Sequence, residues 1–146
     1  MDAVKIKKMR PSAVVPKRAT PGSAGADLCA ATDEPLELKP GQSAVVPTGI
    51  AIALPGSEYV ALVFPRSGLA VKHGIGMLNS VGVIDSDYRG EISVGLVNRS
   101  QQAYTITPGE RIAQMLIMPV CLPELKEVEQ LDQTERGAGG FGSTGR

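Results

Sequence analysis

Short runs in which every second residue is apolar dominate this chain, and they limit it to folds built from β-strands. Such runs lie at residues 4–6, 36–38, 50–54 and 92–96, and residues 59–64 and 111–120 are more continuously apolar. A period of two places the apolar side chains on one face of a strand, whereas an amphipathic helix needs them three and four residues apart. The continuous runs are typical of strands that are covered on both faces.

Turn signals separate these runs. Pro-Gly pairs occur at residues 21–22, 40–41, 55–56 and 108–109, and this pair favours tight turns. Many short strands joined by frequent turns predict an all-β sandwich or barrel. The best helix candidate is one short segment, residues 67–72. With 146 residues, the chain is expected to form one domain with a real core.

The charge balance restricts the possible partners. Fifteen basic residues match fifteen acidic ones, so no overall charge attracts nucleic acid or an anionic membrane. A polyanionic substrate must then be bound locally, by particular arginines and backbone amides.

No segment approaches the roughly 20 apolar residues that cross a bilayer, and a soluble, cytoplasmic protein is predicted. Cys29 and Cys121 are expected to be buried, reduced thiols.

The segment at residues 136–146 (Arg-Gly-Ala-Gly-Gly-Phe-Gly-Ser-Thr-Gly-Arg) contains too much glycine to order itself. It is either a flexible tail or a segment that orders on a ligand. Gly137, Gly139 and Gly142 fit the pattern G-x-G-x-x-G, but that fingerprint has meaning only between a strand and a helix, so no dinucleotide-binding fold is predicted. Exposed glycine amides can bind phosphate, Arg136 can clamp one, and Phe141 can stack on a base.

A second cluster, residues 82–91, contains two acids between glycines. One interpretation is a hairpin loop, in which Asp and Gly are common. The other is a carboxylate held beside a substrate, with Tyr88 packed on a neighbouring ring. An ionised Asp85 can accept a proton from water at neutral pH.

A third cluster, residues 65–70 (Pro-Arg-Ser-Gly-Leu-Ala), follows an apolar strand. Its hydroxyl and successive amides can form an anion site at the start of a helix. The alternative is an ordinary capped helix with Ser67 as the N-cap. Ser67 lacks the G-x-S-x-G context of a hydrolytic nucleophile. His73 is the only histidine, so mechanisms that need two are excluded, and a structural or surface role is expected for it.

Five segments in order resemble the five motifs of the trimeric dUTPase (deoxyuridine triphosphatase) family. They are residues 24–28 (Ala-Gly-Ala-Asp-Leu), 65–70, 82–90 (Gly-Val-Ile-Asp-Ser-Asp-Tyr-Arg-Gly), 109–114 (Gly-Glu-Arg-Ile-Ala-Gln) and 136–145. The resemblance runs from about residue 4 to the end. It implies a distorted jelly-roll β-barrel or sandwich with one short helix and a flexible glycine-rich C-terminal tail. Residues 1–135 would form the barrel domain, and residues 136–146 an arm that closes over an active site shared between the subunits of a homotrimer.

The resemblance also implies an activity: Mg²⁺-dependent hydrolysis of dUTP to dUMP and pyrophosphate, which limits uracil in DNA and supplies dUMP for thymidylate synthesis. Asp85 would be the general base for the water that attacks the α-phosphorus. Tyr88 would pack on the deoxyribose and exclude a 2′-hydroxyl. Asn79, with backbone groups at Gly82, Val83 and Ile84, would bind the uracil edge in a β-hairpin pocket.

The remaining roles implied by the resemblance concern phosphates, metal and base. The phosphate contacts would be Arg66, Ser67, Gly68, Gln114, Arg136, Gly142 and Ser143. Phe141 would stack on the uracil. Asp27 would contact Mg²⁺ through water, which fits an ion that prefers waters and substrate phosphates to a protein cage. Neither nucleic acid nor a membrane is an expected partner.

Two alternatives share the same scaffold. The dCTP deaminase family has a similar third motif but carries a catalytic Glu on the following strand, where this chain has Gly95. A non-catalytic nucleotide-binding trimer is the other alternative. Asp85 is the discriminating residue there, because a catalytically inactive relative could lose it without harm to folding.

Overall fold

The computed structural model describes residues 3–142 and is built mainly of β-strands. In that part of the chain the elements are β1 Lys5–Lys8, β2 Ala26–Cys29, β3 Leu36–Leu38, β4 Ser43–Ala53, β5 Tyr59–Pro65, α1 Ser67–His73, β6 Ile75–Met77, β7 Gly82–Ile84, β8 Ile92–Asn98, β9 Tyr104–Ile106 and β10 Arg111–Pro119. The all-β fold with one short helix is confirmed. Every alternating run named from the sequence contributes to a strand, whereas β2, β6, β7 and β9, of three or four residues each, lie outside those runs.

The strands form two four-stranded antiparallel sheets. Their orders are β1-β4-β8-β6 and β2-β10-β5-β7, and a separate ladder joins β3 to β9. Strands that follow one another in the chain are often in different sheets, so the connections cross between layers, as in a jelly roll. This crossing explains why the loops after β7 and β5 carry the motifs: both leave the second sheet and enter another layer.

The core lies where the alternating faces meet. Ile92, Val94 and Leu96 of β8 are buried while Ser93 is exposed, as the period of two predicts. The buried Asn98 closes one end of the core: its Nδ2 donates to the carbonyls of Leu38 (2.8 Å) and Gln102 (2.7 Å). Since a buried amide is stable only when its hydrogen bonds are made, Asn98 ties the β3-β9 ladder to the end of β8.

The helix is capped one residue earlier than the sequence suggested. Arg66 occupies the N-cap position with extended backbone and no side-chain cap hydrogen bond, so the interpretation of Ser67 as N-cap is wrong. Ser67 is instead the first helical residue. The helix ends at His73, and Gly74 follows in the left-handed region (φ 68°), which glycine adopts without steric penalty.

Two further expectations need correction. The segment at residues 82–91 is not the loop of a paired β-hairpin, because β7 pairs with β5 in one sheet and β8 pairs with β4 and β6 in the other. Cys29 is buried, but Cys121 is exposed, since it lies beyond the last strand. Both thiols are free, as expected. No helix within the described residues is long and apolar enough to span a membrane.

Candidate active site

One cleft brings together three of the five motif segments. It has a volume of about 700 Å³ and includes Asp27, Arg66, Ser67 and Gln114 in its lining. Strand pairing produces this arrangement: in β10, Gln114 lies opposite Asp27 of β2 on one side and opposite Phe64 of β5 on the other. The register of one central strand therefore places the first, second and fourth segments side by side.

Asp27 is the electrostatic centre of this cleft. Its Oδ1 forms an ion pair with Arg66 Nε at 2.9 Å, and its Oδ2 accepts a hydrogen bond from Arg111 Nη1 at 3.2 Å. The carboxylate thus fixes two guanidinium groups at the cleft. Burial, with a further contribution from the Asp27 charge, raises the pKa of the neighbouring Cys29 thiol, so this cysteine is not an activated nucleophile.

Gly25 is required by a close approach rather than by backbone conformation. A Cβ at residue 25 would lie 2.5 Å from Gln114 Oε1. The Gln114 side chain is held in that place by its Nε2, which donates to the Pro65 carbonyl at 3.0 Å. Gly25 therefore makes room for the side chain that joins the first, second and fourth segments.

Ser67 and Gly68 lie exposed at the start of α1. A side chain at residue 68 would meet nothing within 4 Å, so the backbone there is open to a ligand. Together with Arg66 they form the cationic, amide-rich rim that phosphate groups require.

Asp85 lies in a different concavity. This second cavity, of about 580 Å³, is lined by Ser57, Tyr59, Val60, Val83, Asp85, Ser86, Asp87, Val120 and Leu122. Asp85 follows β7 in a turn that is closed by the Tyr88 amide, which donates to the Asp85 carbonyl at 3.2 Å. Among the described residues its carboxylate makes no hydrogen bond or ion pair, and it is exposed.

Tyr88 is held at the hydroxyl end of its ring. The hydroxyl donates to the Glu91 carbonyl at 3.1 Å, and a Cβ at Gly90 would overlap the ring. About 44% of the residue remains exposed. The ring is therefore partly exposed while its hydroxyl is held in place.

Asn79 and the first residues of β7 form a compact corner. Gly82 is buried against Val63, and the Asn79 amide nitrogen would lie 3.7 Å from a Cβ at residue 82. Ser80 adopts a positive φ of 61°, which turns the chain sharply between the two sheets. The exposed Asn79 amide and the edge of β7 thus lie together, as a pocket for a flat ring requires.

Residues 136–142, the described part of the glycine-rich tail, line neither cavity. Arg136 Nε donates to the Gly139 carbonyl at 2.8 Å, so its contact is within the tail itself. Phe141 is fully exposed, and Gly142 adopts a φ of 90°. Ser143 lies outside the described residues. One chain therefore gathers Asp27, Arg66, Ser67 and Gln114, but keeps Asp85, Tyr88 and the tail away from them.

Sequence reasoning missed two kinds of residue. Arg111 is in the fourth motif segment but had no role until its contact with Asp27 appeared. Arg10 and Glu91 form an ion pair (Nε to Oε1, 2.8 Å) across 81 positions of sequence, and no local signal could have joined them.

No group of three or more metal-binding side chains occurs in residues 3–142, and Asp27 is the only carboxylate lining the large cleft.

Comparison with known proteins gives consistent results. A family model described as dUTPase matches residues 12–145. The chain is 52% identical to a deoxyuridine 5′-triphosphate nucleotidohydrolase of Burkholderia mallei, covering 98% of this chain and 97% of that protein. It is also 52% identical to the Serratia proteamaculans protein of that name, over 90% and 87% of the two chains.

Solved structures agree. A mutant dUTPase of Staphylococcus bacteriophage 80alpha, solved with dUpNHpp, superimposes with a TM-score of 0.89 at 30% identity, covering 100% of both chains. A mutant dUTPase from phage phi11 of S. aureus, described with a structural Mg(II) ion, gives a TM-score of 0.81 at 26% identity, over 90% of this chain and 100% of that one.

Proposed function

This chain belongs to the dUTPase family and is a dUTP diphosphatase, and we propose that copies of it share residues to build each active site. The observation that carries this proposal is the separation of Asp85 from the cleft of Asp27, Arg66 and Gln114 within one chain. The hydrolysis needs both sets, so a neighbouring copy must bring the second set to the first. We propose a homotrimer, as the family resemblance implies.

The surface of the single chain supports this assembly. The segment after β10 leaves the barrel with apolar side chains exposed: Leu122 (71%), Leu125 (94%) and Leu131 (84%). Exposed apolar side chains in series favour burial against another surface. A second copy supplies that surface and would carry the tail toward a neighbour's cleft.

In the cleft, Arg66, Ser67, Gly68 and Gln114 would bind the phosphates. An arginine carries five N–H donors, so Arg66 can keep its Nε contact to Asp27 and still bind phosphate oxygens through its terminal amino groups. Gln114 is oriented by its bond to the Pro65 carbonyl. This arrangement supplies positioning and charge stabilisation, the main requirements of phosphoryl chemistry.

We propose Mg²⁺ as the cofactor, and the cleft fits it. Among the described residues, Asp27 alone offers a carboxylate there, and both its oxygens already contact arginines. A contact through water is therefore more suitable than direct ligation, since Mg²⁺ keeps several waters and uses substrate phosphates. When bound, the ion neutralises triphosphate charge.

Asp85 would activate the attacking water. Its exposed carboxylate has no competing partner among the described residues, so it can accept the proton that the water loses on attack at the α-phosphorus. Tyr88 would pack on the deoxyribose. Asn79, with the backbone of Gly82, Val83 and Ile84, would bind the uracil edge.

Residues 136–146 would close over the site, with Phe141 on the uracil and Arg136, Gly142 and Ser143 at the phosphates. Phe141 is available for this role because its side chain is fully exposed. We propose that the chain is divided into a barrel domain, residues 1–135, and this arm.

We also propose a cytoplasmic location, with which two free cysteines are consistent.

The deaminase alternative is disfavoured by packing at residue 95. A Cβ on Gly95 would lie 3.2 Å from Leu78 Cδ1, so Leu78 occupies the space that a glutamate would need.

Incubation of the protein and Mg²⁺ with each deoxynucleoside triphosphate tests the activity. Pyrophosphate release from dUTP alone is expected, and ammonia release from dCTP would contradict it.

A further inference from the structure

The segment between β7 and β8, residues 85–91, holds Asp85 and Tyr88 without support from a strand ladder. It leaves the second sheet at Ile84 and enters the first sheet at Ile92. Its position therefore depends on side-chain contacts at its ends. The strongest of these is at Glu91, the last residue before β8.

Glu91 is held by three hydrogen bonds. Its Oε1 accepts from Arg10 Nε (2.8 Å) and from the Gly49 amide (2.8 Å), and its Oε2 accepts from Arg10 Nη2 (3.1 Å). A bidentate arginine–carboxylate pair fixes orientation as well as distance. These bonds also lower the pKa of the Glu91 carboxyl, with the Arg10 hydrogen bond as the largest cause.

The hydrogen bonds of Glu91 with Arg10 and Gly49, here called the anchor, connect three segments of the chain through Gly49. It lies in an irregularity of the β4-β8 ladder between Pro47 and Ile50, with φ at 69°. Its carbonyl accepts from the Met9 amide at 2.7 Å, and a Cβ there would lie 2.5 Å from Ala13 Cβ. The N-terminal turn, β4 and the segment at residues 85–91 are thus locked together.

The anchor reaches Tyr88 through the backbone. The Tyr88 hydroxyl donates to the carbonyl of Glu91 itself (3.1 Å), and the ring packs over Gly90. Arg89 holds the intervening turn, because its Nη1 donates to the carbonyls of Ser86 (2.8 Å) and Tyr88 (3.0 Å). Any movement of Glu91 therefore changes where the Tyr88 ring lies.

We infer that Arg10 and Glu91 are positioning residues that fix the Tyr88 ring and thereby set the preference for deoxyribose over ribose. This inference rests on the proposed packing of Tyr88 on the sugar. Arg10 and Glu91 touch no substrate. The pair is partly exposed, with 45% and 22% of the two side chains accessible, and such pairs contribute little to stability. We therefore expect the Arg10–Glu91 pair to affect the preference for dUTP over UTP more than the stability of the protein.

The test compares kcat/KM for dUTP and UTP in Arg10→Gln and Glu91→Ala. Both should lower the dUTP-to-UTP ratio by about fivefold or more, because a displaced ring admits the 2′-hydroxyl. The conservative Arg10→Lys and Glu91→Gln should retain part of the preference. Lys5→Gln removes a charge from the same N-terminal region without touching Glu91, and should leave the ratio unchanged. An unchanged ratio in Arg10→Gln and Glu91→Ala, or an equal fall in Lys5→Gln, would overturn the inference.

Two further measurements separate positioning from stability and from the proposed function. If Glu91 acts through Tyr88, the effects of Glu91→Ala and Tyr88→Phe on the ratio must not add in the double variant; full additivity would overturn the inference. In protein labelled with ¹³C-tyrosine, the Tyr88 signal should shift in Arg10→Gln and stay in Lys5→Gln. If the wild-type protein did not turn over dUTP, the proposed function would be overturned instead. The Tyr88 signal would then still show whether the Arg10–Glu91 pair fixes the Tyr88 ring.

Discussion

Asp85 and Asp27 line two separate cavities of the same chain, of about 580 and 700 Å³. Asp27 is neutralised by Arg66 and Arg111, whereas Asp85 is exposed and free of partners among the described residues. The two acids are therefore suited to different tasks: Asp27 organises the cations that meet phosphate, and Asp85 can take a proton. Their separation within one subunit is the observation behind the proposed shared site.

Replacing Asp85 with Asn should abolish turnover and leave dUTP binding largely intact, because the amide keeps the shape but cannot accept a proton. The measurements are the rate of pyrophosphate release and the Kd for a non-hydrolysable analogue. A variant that kept more than about a tenth of the wild-type rate, a barrier increase below ~1.4 kcal/mol, would show that Asp85 is not the base. Glu37→Gln, at an exposed position of β3, is the control.

Deleting residues 136–146 should leave the thermal unfolding temperature nearly unchanged and reduce activity severely. The described part of this segment makes no contact with the cleft, and ordering a glycine-rich segment costs roughly 1–2 kcal/mol per residue, which only ligand contacts can offset. Early unfolding of the truncated protein would make the tail structural, and normal turnover would make it dispensable.

Phe141→Ala should cause part of the same loss, since stacking on a base contributes on the order of 1–3 kcal/mol. The chain contains no tryptophan, so Phe141→Trp gives a single fluorophore at the same position. Its emission should change when dUpNHpp and Mg²⁺ bind. Emission that stays constant at saturating ligand would place the aromatic ring away from the base.

Gly25→Ala should raise KM for dUTP with a small effect on stability. The added Cβ would meet Gln114 Oε1, the far end of a flexible side chain, so Gln114 must leave its bond with the Pro65 carbonyl. Gly22→Ala is a matched control, because its Cβ would meet nothing within 4 Å. Equal KM values in the two variants would exclude this role of Gly25.

Tyr104 should make stability depend on alkaline pH. Burial, with the hydrogen bond to Glu110, raises the pKa of Tyr104 to about 12, and the ring centroid of His73 lies 4.9 Å away. A raised pKa contributes stability that is complete below the ordinary value of 10.0 and is lost as pH rises through about 12. The unfolding free energy of wild type minus that of Tyr104→Phe should decline over that window. A difference that stays constant from about pH 9 to about pH 12 would contradict it.

The sequence predicted the long strands and the order of the motifs because both are local signals. The alternation in β8 and the Pro-Gly turns needed no tertiary information. The helix cap and the assignment of strands to sheets could not be predicted from these local signals. Ser67 has the residue type of an N-cap, yet Arg66 takes that position because β5 runs extended into the helix. The segment between β7 and β8 resembled a hairpin loop because the sequence does not show that these two strands pair in different sheets.

The site was predictable in its residues and not in its geometry. Motif order suggested Asp85, Tyr88 and Arg66 as candidates, but only the register of β10 shows that Asp27, Phe64 and Gln114 are neighbours. Contacts across long separations, such as Arg10 with Glu91, leave no periodic trace in one sequence. The exposed position of Cys121 likewise followed from where β10 ends, and not from its residue type.

A complementation assay tests the shared site most directly. Arg66→Gln and Asp85→Asn variants, each inactive alone, are mixed in equal amounts and exchanged into mixed trimers. If a site takes Asp85 from one subunit and Arg66 from another, about a quarter of the sites in a random mixture contain both native residues, and about a quarter of the wild-type rate should return. A mixture as inactive as its parents, or full wild-type activity in a 15.2 kDa monomer, would contradict the shared site.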